Sequence, residues 1–270
     1  MSSITRAFIA TNIFCILLGQ SGAALIPGSD RSEGQGPFSR MVIRGGTLIN
    51  GNGSPPIGPV DIVIEDNRIT RVQSVGYPGV PIDEGRRPKK GDFEIDASGQ
   101  YIMPGFVDLH AHAGSPQKAP ITDYVYKLWL AHGVTTVRGV GLASLEFSLS
   151  EKNRSESNKI TAPRIWAYQR PGQGKDWRGG KVQDPQTARK WVRYAANKGV
   201  DGVKLVSYEP DLMEALIDEA IKQKLGTTAH LGQTGVARMN TIDAARLGLG
   251  TQTHFYGLFE SMYEHNDVQP

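Results

Sequence analysis

Two histidines stand two residues apart in Gly105-Phe106-Val107-Asp108-Leu109-His110-Ala111-His112, a run with the composition of a strand. A strand's period of two sends both imidazoles to one face. The pair alone reads equally well as two loop side chains that meet nothing, so the other histidines decide its weight. His230 closes Gly226-Thr227-Thr228-Ala229-His230 and His254 closes Gly250-Thr251-Gln252-Thr253-His254, so each follows a short strand-like run. They lie 24 residues apart, the length of one βα repeat, which puts both on the same rim of neighbouring parallel strands. Four of the six histidines are therefore expected to converge, and clustered neutral imidazoles suit a zinc-type divalent metal. His132, before Gly133, reads as a helix C-terminal residue and His265 as a surface residue.

Lys204 interrupts the apolar run Gly202-Val203-Lys204-Leu205-Val206. A buried ammonium is costly. Either it pairs with a carboxylate, or it loses its charge by reacting with carbon dioxide and becomes a carbamate able to bridge two metals. The sequence leaves both open. Asp108 shares strand parity with His110 and is placed to orient it or to touch the metal. Tyr208 lies four residues beyond Lys204 with the same parity, either as a donor to a substrate carbonyl or as a rim aromatic that packs a loop. Arg138 ends a strand-like run and is read as a bidentate partner for a substrate carboxylate or as one half of a loop salt bridge. Gln169, Arg170 and the stretch from Gly172 to Gly180 follow another such run and are placed to shape the pocket.

The elements that must hold these side chains fall into two rhythms. Met41 to Ile49, Val60 to Glu65, Ile69 to Val75 and Phe93 to Ile95 are short β-branched runs separated by turn-rich segments, which predicts a small antiparallel β-unit with a hairpin at Asp66-Asn67-Arg68. After Pro104, the runs Gly105 to Leu109, Val134 to Val137, Arg164 to Ala167, Gly202 to Val206, Thr227 to Ala229 and Thr251 to Thr253 alternate with helical patterns. Asp184-Pro185 and Glu209-Pro210 are helix starts. Gly199, Gly226 and Gly250 are expected where helices give way to strands. The fold class is thus α/β, a TIM-type (β/α)8 barrel with about six of its eight strands present, beside a small N-terminal β-unit. The chain reads as C-terminally truncated.

Composition excludes several classes. Of 270 residues 39% are hydrophobic and 21% charged, an ordinary globular balance that rules out disorder and collagen-like repeats. A formal charge of +3 spread along the chain gives no footprint for nucleic acid. Arg6, the apolar run Ala7 to Leu18 and the small residues Gly19 to Ala24 have the three-part layout of a secretory signal peptide, too short for a lasting membrane anchor. A later start at Met41 is the plainer alternative. The one cysteine, Cys15, lies inside that run, and Asn12, Ile13 and Phe14 before it lack the small side chains of a lipid-attachment site. The mature chain is then free of thiols, which excludes disulfides and cysteine ligands. The expected layout is a signal peptide over 1–25, a linker over 26–40, a β-sandwich unit over 41–102 and an incomplete barrel over 103–270, in a secreted or periplasmic protein.

Asp96-Ala97-Ser98-Gly99 followed by Pro104-Gly105-Phe106-Val107-Asp108-Leu109-His110-Ala111-His112, together with the later lysine and histidines, resembles the amidohydrolase superfamily over residues 41 to 270. The surroundings of Lys204, His230 and His254 are most similar to its branch of Xaa-Pro dipeptidases and imidazolonepropionase-like hydrolases. The resemblance implies a distorted barrel beside a β-sandwich completed by C-terminal sequence. It also implies His110 and His112 on a first metal, Lys204 as a carboxylated bridge, and His230 and His254 on a second metal. Hydrolysis of an amide or other C–N bond of a small molecule, such as a dipeptide, by a metal-activated hydroxide is the implied reaction. The family's aspartate after the eighth strand has no counterpart before Pro270. The alternatives are a truncated non-catalytic paralogue or fragment, and a mononuclear hydrolase of the cyclic-amide or imidazolonepropionase type in which Lys204 is structural.

Overall fold

The computed structural model describes residues 24–263, so the signal-peptide stretch, Cys15 and His265 lie outside the described residues, apart from the last residues of the 1–25 span. The first sheet contains β1 (Arg40–Leu48), β2 (Ile57–Glu65), β3 (Arg68–Ser74), β4 (Phe93–Asp96) and β5 (Tyr101–Ile102). Its order is β3-β2-β1-β4, with β5 also paired to β1. β1, β2 and β3 form the expected antiparallel meander, turning at Asp66, whose φ of 51° suits a tight hairpin. β4 and β5 instead run parallel to β1, so the unit is mixed rather than antiparallel. The reason is the excursion between β3 and β4, which is long enough to carry the chain back to the starting end. β5 is only two residues long, too short for alternation to reveal it.

Six parallel strands make the second sheet: β6 (Phe106–Ala111), β7 (Val134–Val140), β8 (Arg164–Gln169), β9 (Gly202–Leu205), β10 (Gly226–Ala229) and β11 (Thr251–Gln252), paired in sequential order. Between them run α1 (Thr122–Ala131), α2 (Leu145–Glu156), α3 (Pro185–Lys198), α4 (Pro210–Lys222) and α5 (Thr241–Arg246). All six expected barrel strands are present, and the sheet curls into a partial barrel. Its curl is visible in Arg138 of β7, which reaches across the inside to Thr228 of β10 and Thr251 of β11.

The helices begin and end for identifiable reasons. Asp184 accepts from the Thr187 N–H at 2.8 Å with Pro185 in the first turn, and Gly199 ends α3 at φ 92°, a left-handed cap that glycine adopts without strain. Gly226 and Gly250 do not cap: Gln223 and Leu247 end α4 and α5. Gly226 is required by packing, because a Cβ there would lie 1.9 Å from the Tyr168 hydroxyl. α3 and α4 bury Trp191, Val192, Met213, Leu216 and Ile217 against Val203 and Leu205 of β9. Each of these large side chains contributes about 1.5–3 kcal/mol by leaving water, and together they fix the sheet from which the rim residues project.

The segment expected to be a linker is irregular but anchored. Ile26 pairs with Pro120 and Thr122, Gly28 N–H donates to the buried Glu151 carboxylate at 2.9 Å, and Arg154 binds both Glu151 and the Gly28 carbonyl. These residues offer backbone groups and charge rather than periodicity, so their attachment leaves no pattern in the sequence.

Candidate metal centre

Every chemistry-bearing histidine of the barrel sits at the C-terminal end of its strand. His110 lies within β6, and His112 follows it. The His230 N–H donates to the Leu205 carbonyl at 3.0 Å and the Thr253 N–H to that of Ala229 at 2.8 Å, continuing the strand ladder one step before each side chain enters the rim. The rings gather: His110 and His112 are 5.1 Å apart centre to centre, His110 and His254 4.9 Å, His230 and His254 4.5 Å. His254 holds a left-handed backbone, φ 64°, a strained setting for a side chain other than glycine and one that concentrates at functional sites. Asp108 accepts from the His110 backbone N–H at 2.8 Å, so it fixes that turn of chain rather than the ring.

Lys204 is buried on β9. Its Nζ donates to Thr253 Oγ1 at 3.0 Å, and that hydroxyl donates to the Ala229 carbonyl at 3.0 Å. Among the described residues no carboxylate meets it. Burial, with the nearby Arg170 and Arg138 charges, brings its pKa down to about 8. Burial and the Lys204 charge lower His110 to about 4, and His112 and His230 are lowered too, chiefly by desolvation. At neutral pH these three rings are therefore uncharged, the form in which imidazole ligates.

Arg138 is buried inside the sheet. Its Nε donates to the Leu109 carbonyl at 2.7 Å, its two terminal nitrogens to Thr251 and Thr228, and its guanidinium lies 5.1 Å above the Tyr168 ring. The fork that a substrate carboxylate would need is spent on protein oxygens, and among the described residues no salt bridge engages it, so neither expectation for Arg138 describes its setting. It is a strut across the barrel. Tyr208 is half-buried against the α3–α4 core, and burial raises its pKa. His132 caps α1, its ring 2.8 Å from the Leu128 carbonyl.

Sequence reasoning missed two participants. Thr253, the hydroxyl that holds Lys204, has strand-end parity but no distinguishing chemistry. Tyr256, two residues past His254, stacks on His230 with ring centres 5.5 Å apart.

By residue type the donors suit a divalent cation. His110 Nδ1 is buried without a hydrogen-bond partner, three of the rings are held neutral, and an uncompensated lysine stands beside them. The rings of His110 and His112, and of His230 and His254, lie edge to face, and among the described residues no three His, Cys, Asp or Glu side chains form a ready-made ligand group.

Residues 101–267 match the family model described as "Amidohydrolase family". The chain belongs to the amidohydrolase family. Its adenine deaminase relative from Bacillus subtilis is 40% identical over 92 residues, 32% of this chain and 16% of that protein. The 5-methylthioadenosine/S-adenosylhomocysteine deaminase of Desulforamulus reducens is 27% identical over 228 residues, 73% of this chain and half of that one. Among solved amidohydrolase folds, a Xaa-Pro dipeptidase with bound methionine superposes with a TM-score of 0.61 at 20% identity, covering 85% of this chain and 66% of that one. A prolidase complexed with N-methylphosphonate-L-proline gives 0.60 at 22%, covering 80% and 60%. This amidohydrolase chain therefore spans less than two thirds of the relatives it matches.

Proposed function

We propose that the protein is a metal-dependent hydrolase of a C–N bond in a small molecule. The observation that carries this reading is the gathering of four strand-end imidazoles beside a buried lysine that meets no carboxylate among the described residues. The family named above supports it, since the relatives include deaminases acting on adenine and on methylthioadenosine or S-adenosylhomocysteine.

His110 and His112 would hold one divalent ion, zinc by donor type, and His230 and His254 a second, with Lys204 between them as its carbamate. To form that carbamate the Lys204 ammonium would first give up a proton; the freed nitrogen lone pair would attack the carbon of carbon dioxide as a C=O π pair moves onto oxygen, and the nitrogen would release a second proton, turning a buried cation into an anionic ligand. A bound metal pair supplies a water ionised near neutral pH and polarises the scissile carbonyl. The chain's own residues do the positioning. Asp108 holds the His110 backbone, Thr253 holds Lys204, and Tyr256 backs the His230 ring. Tyr208, kept protonated by burial, is available to donate to a substrate oxygen. The three-part N-terminal layout extends the proposal to an exported protein.

Elemental analysis of the purified protein beside a Lys204→Ala variant, each checked for folding by circular dichroism, tests the reading. Near two metals per chain in the parent, falling in the variant, is the expected result. One metal retained without the lysine supports the mononuclear alternative instead. No metal in a folded parent overturns the proposal.

A further inference from the structure

The strand that carries His110 lies at the edge of its sheet, and among the described residues it pairs with β7 alone. Its register against β7 shifts between Asp108 and Ala111, the stretch that bears His110. Support for this strand end comes from the segment ahead of the first sheet. Leu25 is half-buried against the apolar cluster that contains Ala111, Ala113, Val137 and Leu142, and the two alanines alternate with His110 and His112. One residue later, Ile26 meets the loop that leads from His112 to α1. Its N–H donates to the Pro120 carbonyl at 2.8 Å, and its carbonyl accepts from the Thr122 N–H at 3.2 Å and from the Thr122 hydroxyl. Thr122 is fully buried. The loop is closed on itself: the Ala119 N–H donates to the Ser115 carbonyl at 2.9 Å and the Ser115 N–H to that of Ala119 at 3.2 Å. Gly114, at φ 125°, passes so near the Ala119 carbonyl that a Cβ would sit 2.3 Å from it. A loop this tight has little slack, so a restraint at Pro120 and Thr122 bears on Ala113 and His112. Farther along, the Gly28 N–H reaches Glu151 and the Ser29 N–H reaches Asp123, each at 2.9 Å.

An edge strand has ladder hydrogen bonds on one side only and opens at low cost. Ligating side chains, by contrast, must be held to within about half an ångström by groups that are themselves packed and hydrogen-bonded. Leu25 and Ile26 supply both restraints, apolar packing on the cluster of Ala111 and Ala113 and backbone bonds to the far end of the following loop. We propose that Leu25 and Ile26 are positioning residues, a clamp from the N-terminal segment that holds the His110–His112 limb of the candidate metal centre through Pro120 and Thr122. None of the clamp's contacts described above reaches His230 or His254, which follow β10 and β11, so it acts on one limb. The inference rests on the metal reading above for what the clamped histidines do, though not for the clamp itself.

Hydrogen exchange and zinc binding are measured on the full, metal-stripped chain for the parent, Leu25→Ala, Thr122→Val, Thr122→Ser and Glu33→Gln proteins, each checked for folding by circular dichroism. Glu33→Gln is the control, since it removes an ion pair with Lys127 made by the same segment outside the clamp. In Leu25→Ala and Thr122→Val, exchange should be about tenfold faster in peptides covering 106–121 and unchanged over β9 and β10. One of the bound zinc ions should be held about tenfold more weakly. Thr122→Ser, which keeps the hydroxyl, should recover both properties, and Glu33→Gln should match the parent. In a His112→Ala background, Thr122→Val should weaken zinc no further, because the ligand it positions is gone. A lower thermal midpoint with exchange over 106–121 and zinc affinity as in the parent makes the segment merely structural and overturns the inference. Equal weakening of both ions, or equal acceleration of exchange over β9 and β10, does the same. A parent that binds no zinc while the selective exchange effect persists removes the metal reading and leaves the clamp standing. Zinc held alike by parent and variants keeps the metal reading and loses this one.

Discussion

The two sheets treat buried charge in opposite ways. In the first sheet, Asp61 of β2 is fully buried and surrounded by compensation: Arg44 at 2.8 Å, Arg87 at 3.2 Å and the Gly45 N–H at 2.8 Å. Glu151, under the N-terminal segment, is likewise buried and answered by Arg154 and the Gly28 N–H. In the barrel, among the described residues, Lys204 has only a hydroxyl partner, and Arg138 has hydroxyl and carbonyl partners and the Tyr168 ring but no carboxylate. A buried ion without a counter-ion is expensive. The molecule solves that problem where charge serves the fold and leaves it open at the strand ends. The difference marks the strand ends of the barrel as the place where the fold leaves charge uncompensated.

The sharpest way to break this comparison is to remove one charge from each region. Asp61→Asn strips the counter-charge from Arg44 and Arg87 and should cost roughly 3 kcal/mol, a fall of about 6–12 °C in thermal midpoint. Lys204→Met removes an uncompensated cation and one hydrogen bond, effects of opposite sign, so the metal-stripped protein should stay within about 1 kcal/mol of the parent. Thermal and denaturant unfolding of the two variants checks both. If Lys204→Met loses as much stability as Asp61→Asn, the lysine is a structural group and the contrast fails.

What the sequence disclosed follows the same division. The rim histidines were legible because strand ends recur with the βα period: His230 and His254 follow neighbouring strands in a register set by hydrogen bonding, and His110 lies on β6 at the other edge of the sheet. The barrel strands were legible from their β-branched runs. The partners were not. Thr253 holds Lys204 through a contact 49 residues distant in sequence, and Arg138 is engaged by residues 90 and 113 positions away. Such pairings depend on how far the sheet curls, which no local pattern encodes. The anchoring of residues 26–30 escaped for a related reason, since the buried Glu151 carboxylate is met by a segment 123 positions upstream. The parallel pairing of β4 was likewise set by a crossover rather than by composition.

A smaller effect separates the regions by pH in the metal-stripped protein. His110 titrates near 4 in the folded chain against an ordinary value of 6.5, because burial and the Lys204 charge penalise the imidazolium. Between those values the unfolded chain binds the extra proton, so stability rises with pH, is full above 6.5 and is lost as pH falls toward 4. Glu94, in the first sheet, is held below its ordinary 4.5 by Arg44, so its contribution is present above 4.5 and is lost only as pH falls further. Acid should therefore loosen the barrel before the sheet. Hydrogen exchange followed by mass spectrometry from pH 7 to 4 should show protection falling first in peptides covering β6 and β9–β11, and His110→Asn should flatten that early loss while leaving β1–β3 unchanged. Simultaneous loss in both sheets, confined below pH 4.5, would mean that neutral imidazoles at the rim do not carry the energetic difference between the two regions.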